Sequence, residues 1–173
     1  MNEKAIEIGL KNTNFTNSSG IYDGNNFSTV SDIAMMSIYM IKNYPELYKL
    51  YAEKQFTWDR TGGEPIKQGN RNVLLYRNVG ADGIKTGHLS DSGYSLAATT
   101  KLNDRRIISV ISGTKSSSER TKESLKLINY AKIRYDLLKI PKDIDIKIKS
   151  WNINAGHVIG KLRDDLFLSL IHI

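Results

Sequence analysis

The chain has 173 residues, 40% hydrophobic and 25% charged, a balance that excludes an intrinsically disordered chain and suits one core or a medium domain with a small appendage. It contains no cysteine, which excludes disulfides, cysteine-ligated zinc and a thiol nucleophile within it. The formal net charge is +7, yet the basic residues are scattered, with neither the dense Lys/Arg block nor the aromatic-interleaved stripe that nucleic-acid binding requires, so nucleic acid is not an expected partner.

Residues 2–9 read as the tail of a helix terminated by Gly9. Residues 12–24, rich in Asn, Ser, Thr and Gly, read as loop. Thr29 and Asp32 have capping-box spacing, with the acid near the positive end of the helix they open. Val30, Ile33, Ser37, Met40, Ile41 and Tyr44 then recur at helical spacing, and Pro45 marks an end or a sharp restart. Gln55–Trp58 alternates like a strand, and residues 59–69, with three glycines and a proline, are expected to be an exposed loop.

Three further strands are predicted, one running into Lys85, one over 94–100 and one over 106–112, with residues 102–105 as a polar hairpin connection. Leu125, Ile128, Ala131 and Tyr135 mark an amphipathic helix packed across that sheet. The order is α+β. Ile140-Pro141-Lys142 reads as a boundary between a domain over 1–139 and a β-rich one over 142–173. Beyond it Ile144, Ile146 and Ile148 alternate with charged residues as in a half-buried antiparallel strand, and 158–162 and 166–171 continue in kind. No stretch reaches the roughly 18 to 20 apolar residues of a bilayer span, and the first residues lack the charged-then-apolar pattern of a signal peptide.

The run from Val79 to His88 places the triplet Lys85-Thr86-Gly87 where a strand meets a loop. Lys-Thr-Gly is one of three short motifs of serine enzymes that attack D-alanyl amide bonds or β-lactam rings, the others being Ser-x-x-Lys and Ser-x-Asn. Around it stand Gln68-Gly69-Asn70-Arg71-Asn72, Leu74-Leu75-Tyr76, Asp82-Gly83-Ile84 and Ser92-Gly93-Tyr94-Ser95-Leu96-Ala97-Ala98. Together these resemble the low-molecular-mass penicillin-binding proteins, the D-alanyl-D-alanine carboxypeptidases. The resemblance runs from Met1-Asn2-Glu3-Lys4-Ala5 through Phe27-Ser28-Thr29-Val30 to Ser118-Glu119-Arg120, nearly the whole chain.

The resemblance implies an antiparallel sheet with packed helices, β-lactamase/transpeptidase-like but incomplete, followed by the start of a small all-β domain. It implies a serine-type hydrolase that removes the terminal D-alanine of peptidoglycan stem peptides through an acyl-enzyme, is inhibited by β-lactams, and works in the periplasm or on the outer face of the cytoplasmic membrane. The full-length protein is open to peripheral membrane association, for which the basic balance is a weak sign. In that family the nucleophilic Ser-x-x-Lys and the Ser-x-Asn lie upstream of the resembled segment. The chain is therefore read as a C-terminal portion, without turnover of its own and with no catalytic residue. The alternative is a non-catalytic envelope-binding module of the same fold.

Site residues carried over by the resemblance line the substrate. Lys85 would hold the terminal carboxylate, Thr86 would add a hydroxyl bond, Gly87 would leave room for substrate backbone, and His88 would border the site with its backbone N–H toward an oxyanion. Arg71 and Arg120 match family arginines, and a guanidinium fork suits a carboxylate. Two decoys run against family order. Ser112-Gly113-Thr114-Lys115 satisfies Ser-x-x-Lys but ends a strand rather than opening a helix, and Ser150-Trp151-Asn152 satisfies Ser-x-Asn beyond the apparent boundary. His88, His157 and His172 lack metal-ligand spacing and no Gly-rich phosphate motif is present, so neither metal nor cofactor is expected. If upstream helices normally cover the sheet, the strands over 94–100 and 107–111 would expose apolar surface.

Overall fold

The structure, a computed structural model, describes residues 1–60, 62–103, 105–149 and 157–171. These form two compact units, Met1–Asn129 and Tyr130–Ile173. In the first, α1 (Asn2–Ile8) ends at Gly9, whose left-handed φ of 88° lets its N–H reach back to the last turn. Helix α2 (Val30–Asn43) opens as the capping-box spacing predicts, because the Thr29 hydroxyl accepts from the Asp32 N–H at 3.1 Å. Only half the box forms. The Asp32 carboxylate turns instead to the Asn12 N–H and the Thr13 hydroxyl, each at 2.7 Å, and so ties the preceding loop to the first turn of α2. Those bonds, Thr13 foremost, hold the Asp32 carboxyl below the usual carboxylate range. Pro45 restarts the chain as the first residue of a short helix α3 (Pro45–Tyr48), followed by a 3₁₀ turn over Lys49–Ala52.

Strand β1 (Gln55–Trp58) pairs antiparallel with β2 (Ile66–Gly69), with Gln55 opposite Gly69 and Trp58 opposite Ile66. Residues 66–69, expected as loop, are therefore strand. The connection shrinks to residues 59–65, whereas Gly69 ends the ladder that the Asn70 N–H extends to the Lys54 carbonyl at 2.8 Å.

The main sheet is β3 (Ala81–Leu89), β4 (Gly93–Leu102) and β5 (Arg105–Thr114), antiparallel in sequence order with β4 central. Its register sets Thr86 opposite Leu96 and Leu96 opposite Ile111, while Lys85 faces Ala97 and Ala97 faces Val110. Alternate residues of β4 thus serve two faces. On one, Leu96 and Ala98 join Leu74, from a 3₁₀ turn over Val73–Tyr76, and Ile128 of α4 (Ser117–Arg134) in a fully buried core flanked by Val79, Ala81, Ile107, Ile111 and Leu125. The expectation of an apolar surface exposed along β4 is not met, since residues 96–100 are all buried. Small Ala and Thr side chains let helix and loop close over that strand.

In the second unit β6 (Tyr135–Ile140) pairs with β9 (Leu166–Ile171), and β7 (Ile146–Lys149) with β8 (His157–Gly160), all antiparallel. Tyr135 opens β6 rather than closing the helix, which stops at Arg134. Strand β7 starts at Ile146, not Ile144, and its four residues are exposed rather than half-buried. Ser150 and Asn152 of the second decoy, like His172, lie outside the described residues. Among the described residues no helix is long and apolar enough to cross a membrane.

Candidate functional site

Strand β3 carries Lys85, Thr86, Gly87 and His88, and two clusters fix where that strand runs. The first is Asn72, buried to 1% exposure, whose side-chain amide donates to the Gly83 carbonyl at 2.9 Å while its own carbonyl oxygen accepts the Leu74 N–H at 3.2 Å. The Asn70 side chain accepts from the Asn72 N–H at 2.9 Å and donates to the Glu53 carbonyl at 3.0 Å. Between these two asparagines the chain has to carry Arg71 to the edge of β3.

The second cluster gathers at Asp82. Its carboxylate accepts from the Arg106 guanidinium at 2.6 Å and the Tyr48 hydroxyl at 2.8 Å, and Thr99 closes the network with bonds to both Asp82 and Tyr48. Burial works against the charge on Asp82, but Arg106, Thr99 and Tyr48 together outweigh it and leave the carboxyl below its ordinary range. Burial pushes the Tyr48 phenol up to about 12. Gly83 belongs to the same packing, for a Cβ there would meet the Tyr48 hydroxyl oxygen at 2.8 Å. Tyr48 and Asn72 thus grip β3 immediately before Lys85.

Past that grip lies a cleft of about 1080 Å³. All six residues expected at the site, Arg71, Lys85, Thr86, Gly87, His88 and Arg120, line it, and among the described residues no aspartate or glutamate does. Lys85 is exposed, with its ammonium donating to the Thr86 carbonyl at 2.6 Å. The run Lys85 to Gly87 also borders a smaller apolar hollow between α2 and the sheet, about 470 Å³, lined by Ile33, Met36, Met40 and Val110.

Arg120 is the unusual member. It sits one turn into α4, is 5% exposed, and among the described residues meets only neutral acceptors: the Ser117 hydroxyl at 3.1 Å, the Arg71 carbonyl at 3.4 Å and the Gly87 carbonyl at 3.5 Å. Its Nε is buried without a hydrogen-bond partner among the described residues. Burial pulls its pKa down, only partly countered by Tyr94, whose ring the guanidinium covers at 5.7 Å. A desolvated cation with no counter-charge is costly, and an arriving anion relieves that cost. The His88 ring packs on the same Tyr94 at 4.0 Å between centroids.

The decoy serine is elsewhere in kind. Ser112 lies within β5, its hydroxyl 2.9 Å from that of Ser95, so Ser112 and Lys115 do not share a helical face. Among the described residues no group of three or more acids and histidines could hold a metal ion. Sequence reasoning gave no role to Tyr48, Asn72, Asp82, Thr99 and Arg106, which come from separate elements and share no spacing signal, although Asn72 and Asp82 stand in the stretches that carry the resemblance. It also passed over Tyr94, although the neighbouring Gly93 marked a special backbone position.

The sequence profile of the D-alanyl-D-alanine carboxypeptidase family, peptidase S11, matches residues 1–116. The chain belongs to this family. It is 41% identical over 141 residues to the D-alanyl-D-alanine carboxypeptidase DacA of Haemophilus influenzae, a match covering 80% of this chain and 35% of that protein. Penicillin-binding protein 5 of Haemophilus influenzae superposes with a TM-score of 0.83 at 34% identity, covering 98% of this chain and 49% of that one. Penicillin-binding protein D2 of Listeria monocytogenes, solved in an ampicillin-bound form, gives 0.66 at 30% identity over 74% of this chain and 52% of its own. The chain spans about a third of the length of its first curated relative and about half of these solved structures. The α+β architecture expected from the sequence is the one these neighbours share.

Proposed function

We propose that the protein containing this chain is a serine-type D-Ala-D-Ala carboxypeptidase, and that residues 71, 85–88 and 120 form the wall of its cleft that grips the substrate's terminal carboxylate. The observation behind this is the cleft's charge: among the described residues three cations and an imidazole line it with no acid, and the most buried cation has only neutral partners. Arg120 offers the carboxylate a planar fork, Lys85 a point charge, and Thr86 a hydroxyl donor, with Gly87 leaving the strand edge open. The backbone N–H of His88 is assigned to the oxyanion.

The nucleophile and its base are assigned to residues outside this chain. In the whole protein a serine hydroxyl attacks the peptide carbonyl, D-alanine leaves, and water releases the acyl group. The partners are stem peptides ending in D-Ala-D-Ala, with β-lactams as inhibitors, in the bacterial cell envelope. Residues 142–173, which fall within the unit Tyr130–Ile173, are read as part of a second, β-rich domain.

Calorimetric titration of the chain with N-acetyl-D-Ala-D-Ala and with its C-terminal amide tests the assignment. The carboxylate is expected to bind about tenfold or more tightly, as a charge-assisted pair of about 1.5 to 3 kcal/mol implies. Equal affinities would refute the carboxylate grip. Release of D-alanine by the chain alone, abolished in Lys85→Ala, would refute the placing of the nucleophile.

A further inference from the structure

A buried guanidinium without an acid to orient it needs some other device to fix its plane. We propose that Tyr94 is that device, a positioning residue that holds Arg120 and His88 together ahead of the ligand. The proposal rests on the reading of the cleft as a carboxylate site and adds to it how that site is kept ready.

Three observations converge on Tyr94. Its ring lies against both groups, the Arg120 guanidinium at 5.7 Å and the His88 imidazole at 4.0 Å with 33° between planes. Of the hydrogen bonds Arg120 makes to Ser117, Arg71 and Gly87, that to Ser117 is the best placed, since the two carbonyls at 3.4 and 3.5 Å are at the far edge of hydrogen-bonding distance. The backbone also goes out of its way to place the ring. Gly93 has φ +69°, and a Cβ there would meet the Thr114 carbonyl oxygen at 2.6 Å. The β4–β5 register slips between Tyr94 and Leu96, and the Thr114 hydroxyl donates to the Tyr94 carbonyl at 2.9 Å. A bulge beside a left-handed glycine re-aims one side chain, and here it turns Tyr94 into the cleft.

The choice of an aromatic follows from electrostatics. The negative face of the ring steadies the guanidinium, yet it accepts no in-plane hydrogen bond, so the fork stays open to a carboxylate. An aspartate or glutamate at the same place would satisfy Arg120 and close the site to its ligand. Because His88 packs on the same ring, a change at position 94 disturbs two cleft residues at once.

The test compares the wild-type chain with Tyr94→Phe and Tyr94→Leu, Tyr94→Met standing in should the leucine variant not fold. Two measurements are made on each, the affinity ratio of N-acetyl-D-Ala-D-Ala to its amide, and the NMR positions of the Arg120 Nε–H and His88 ring protons without ligand. Phe is expected to keep the ratio within twofold. Leu is expected to lower it about tenfold and to move both sets of resonances by more than the lost ring current accounts for, with the circular dichroism of the fold unchanged. A leucine variant that keeps the ratio, or a phenylalanine variant that loses as much as leucine, overturns the proposal. If the wild type does not discriminate carboxylate from amide, the carboxylate reading fails, and the resonances decide separately: signals in the leucine variant displaced by no more than the lost ring current accounts for overturn the positioning role too, and signals displaced or broadened beyond it uphold it.

Discussion

Replacing Asp82 with asparagine tests whether the Tyr48–Thr99–Arg106 network anchors the strand that bears Lys85. In the native chain Arg106 meets Asp82 at 2.6 Å with side chains 26% and 29% exposed, so both charges are largely out of water. Asparagine keeps the shape and loses the charge, leaving a half-buried guanidinium and a network with a donor too many. Full burial would make such a loss worth about 3 to 5 kcal/mol. Partial exposure lowers the expectation to about 2 kcal/mol, measured by urea denaturation at pH 7 followed by circular dichroism.

Acidity gives that experiment its second arm. Because the folded-state pKa of Asp82 is depressed, the unfolded chain binds more protons across the interval between the two values, and stability falls with falling pH there. The contribution is complete above the unfolded carboxylate range, near pH 4, and is lost as pH drops through the folded value. The difference between wild type and Asp82→Asn should therefore be constant from pH 7 to about 5 and shrink below about 4. A difference under about 0.5 kcal/mol at pH 7, or one that persists undiminished in acid, would refute the reasoning.

Two further outcomes are expected. Asn72→Ala removes the donor to the Gly83 carbonyl and the acceptor for the Leu74 N–H, and leaving such buried groups unpaired should destabilise the chain by about 1 to 3 kcal/mol. Hydrogen exchange should quicken first at residues 83–86, ahead of β5. Ile128→Ala opens a cavity among Leu74, Leu96 and Ala98 and should lower stability by about 2 to 5 kcal/mol, read from the urea midpoint at unchanged slope.

The main sheet was readable because its strands and the helix after them carry their own periodicity. The residues expected at the cleft lay in short stretches around positions 71, 85–88 and 120, each on or beside one local element. Where reading failed, the cause was competition from a partner segment. Residues 66–69 look like loop by their glycine and proline neighbours, but β1 supplies a ladder that backbone groups take whatever the composition. Tyr135 continues the helical spacing of Leu125, Ile128 and Ala131, yet β9 claims it as strand. The alternation around Ile146 and Ile148 gives the strand its type and not its burial, which needs a second surface.

By itself, the order of residues determined the α+β class, the caps of α1 and α2, the family, and which side chains could bring positive charge to a ligand. Tertiary structure alone decided that those charges share one cleft, without an acid among the described residues, and that Arg120 enters it nearly buried beside an aromatic ring. It also decided that Tyr48, Asn72, Asp82, Thr99 and Arg106 hold β3 in place. Periodicity and capping act within a few residues along the chain, whereas desolvation and pairing act between groups up to 58 residues apart, as in Arg106 and Tyr48.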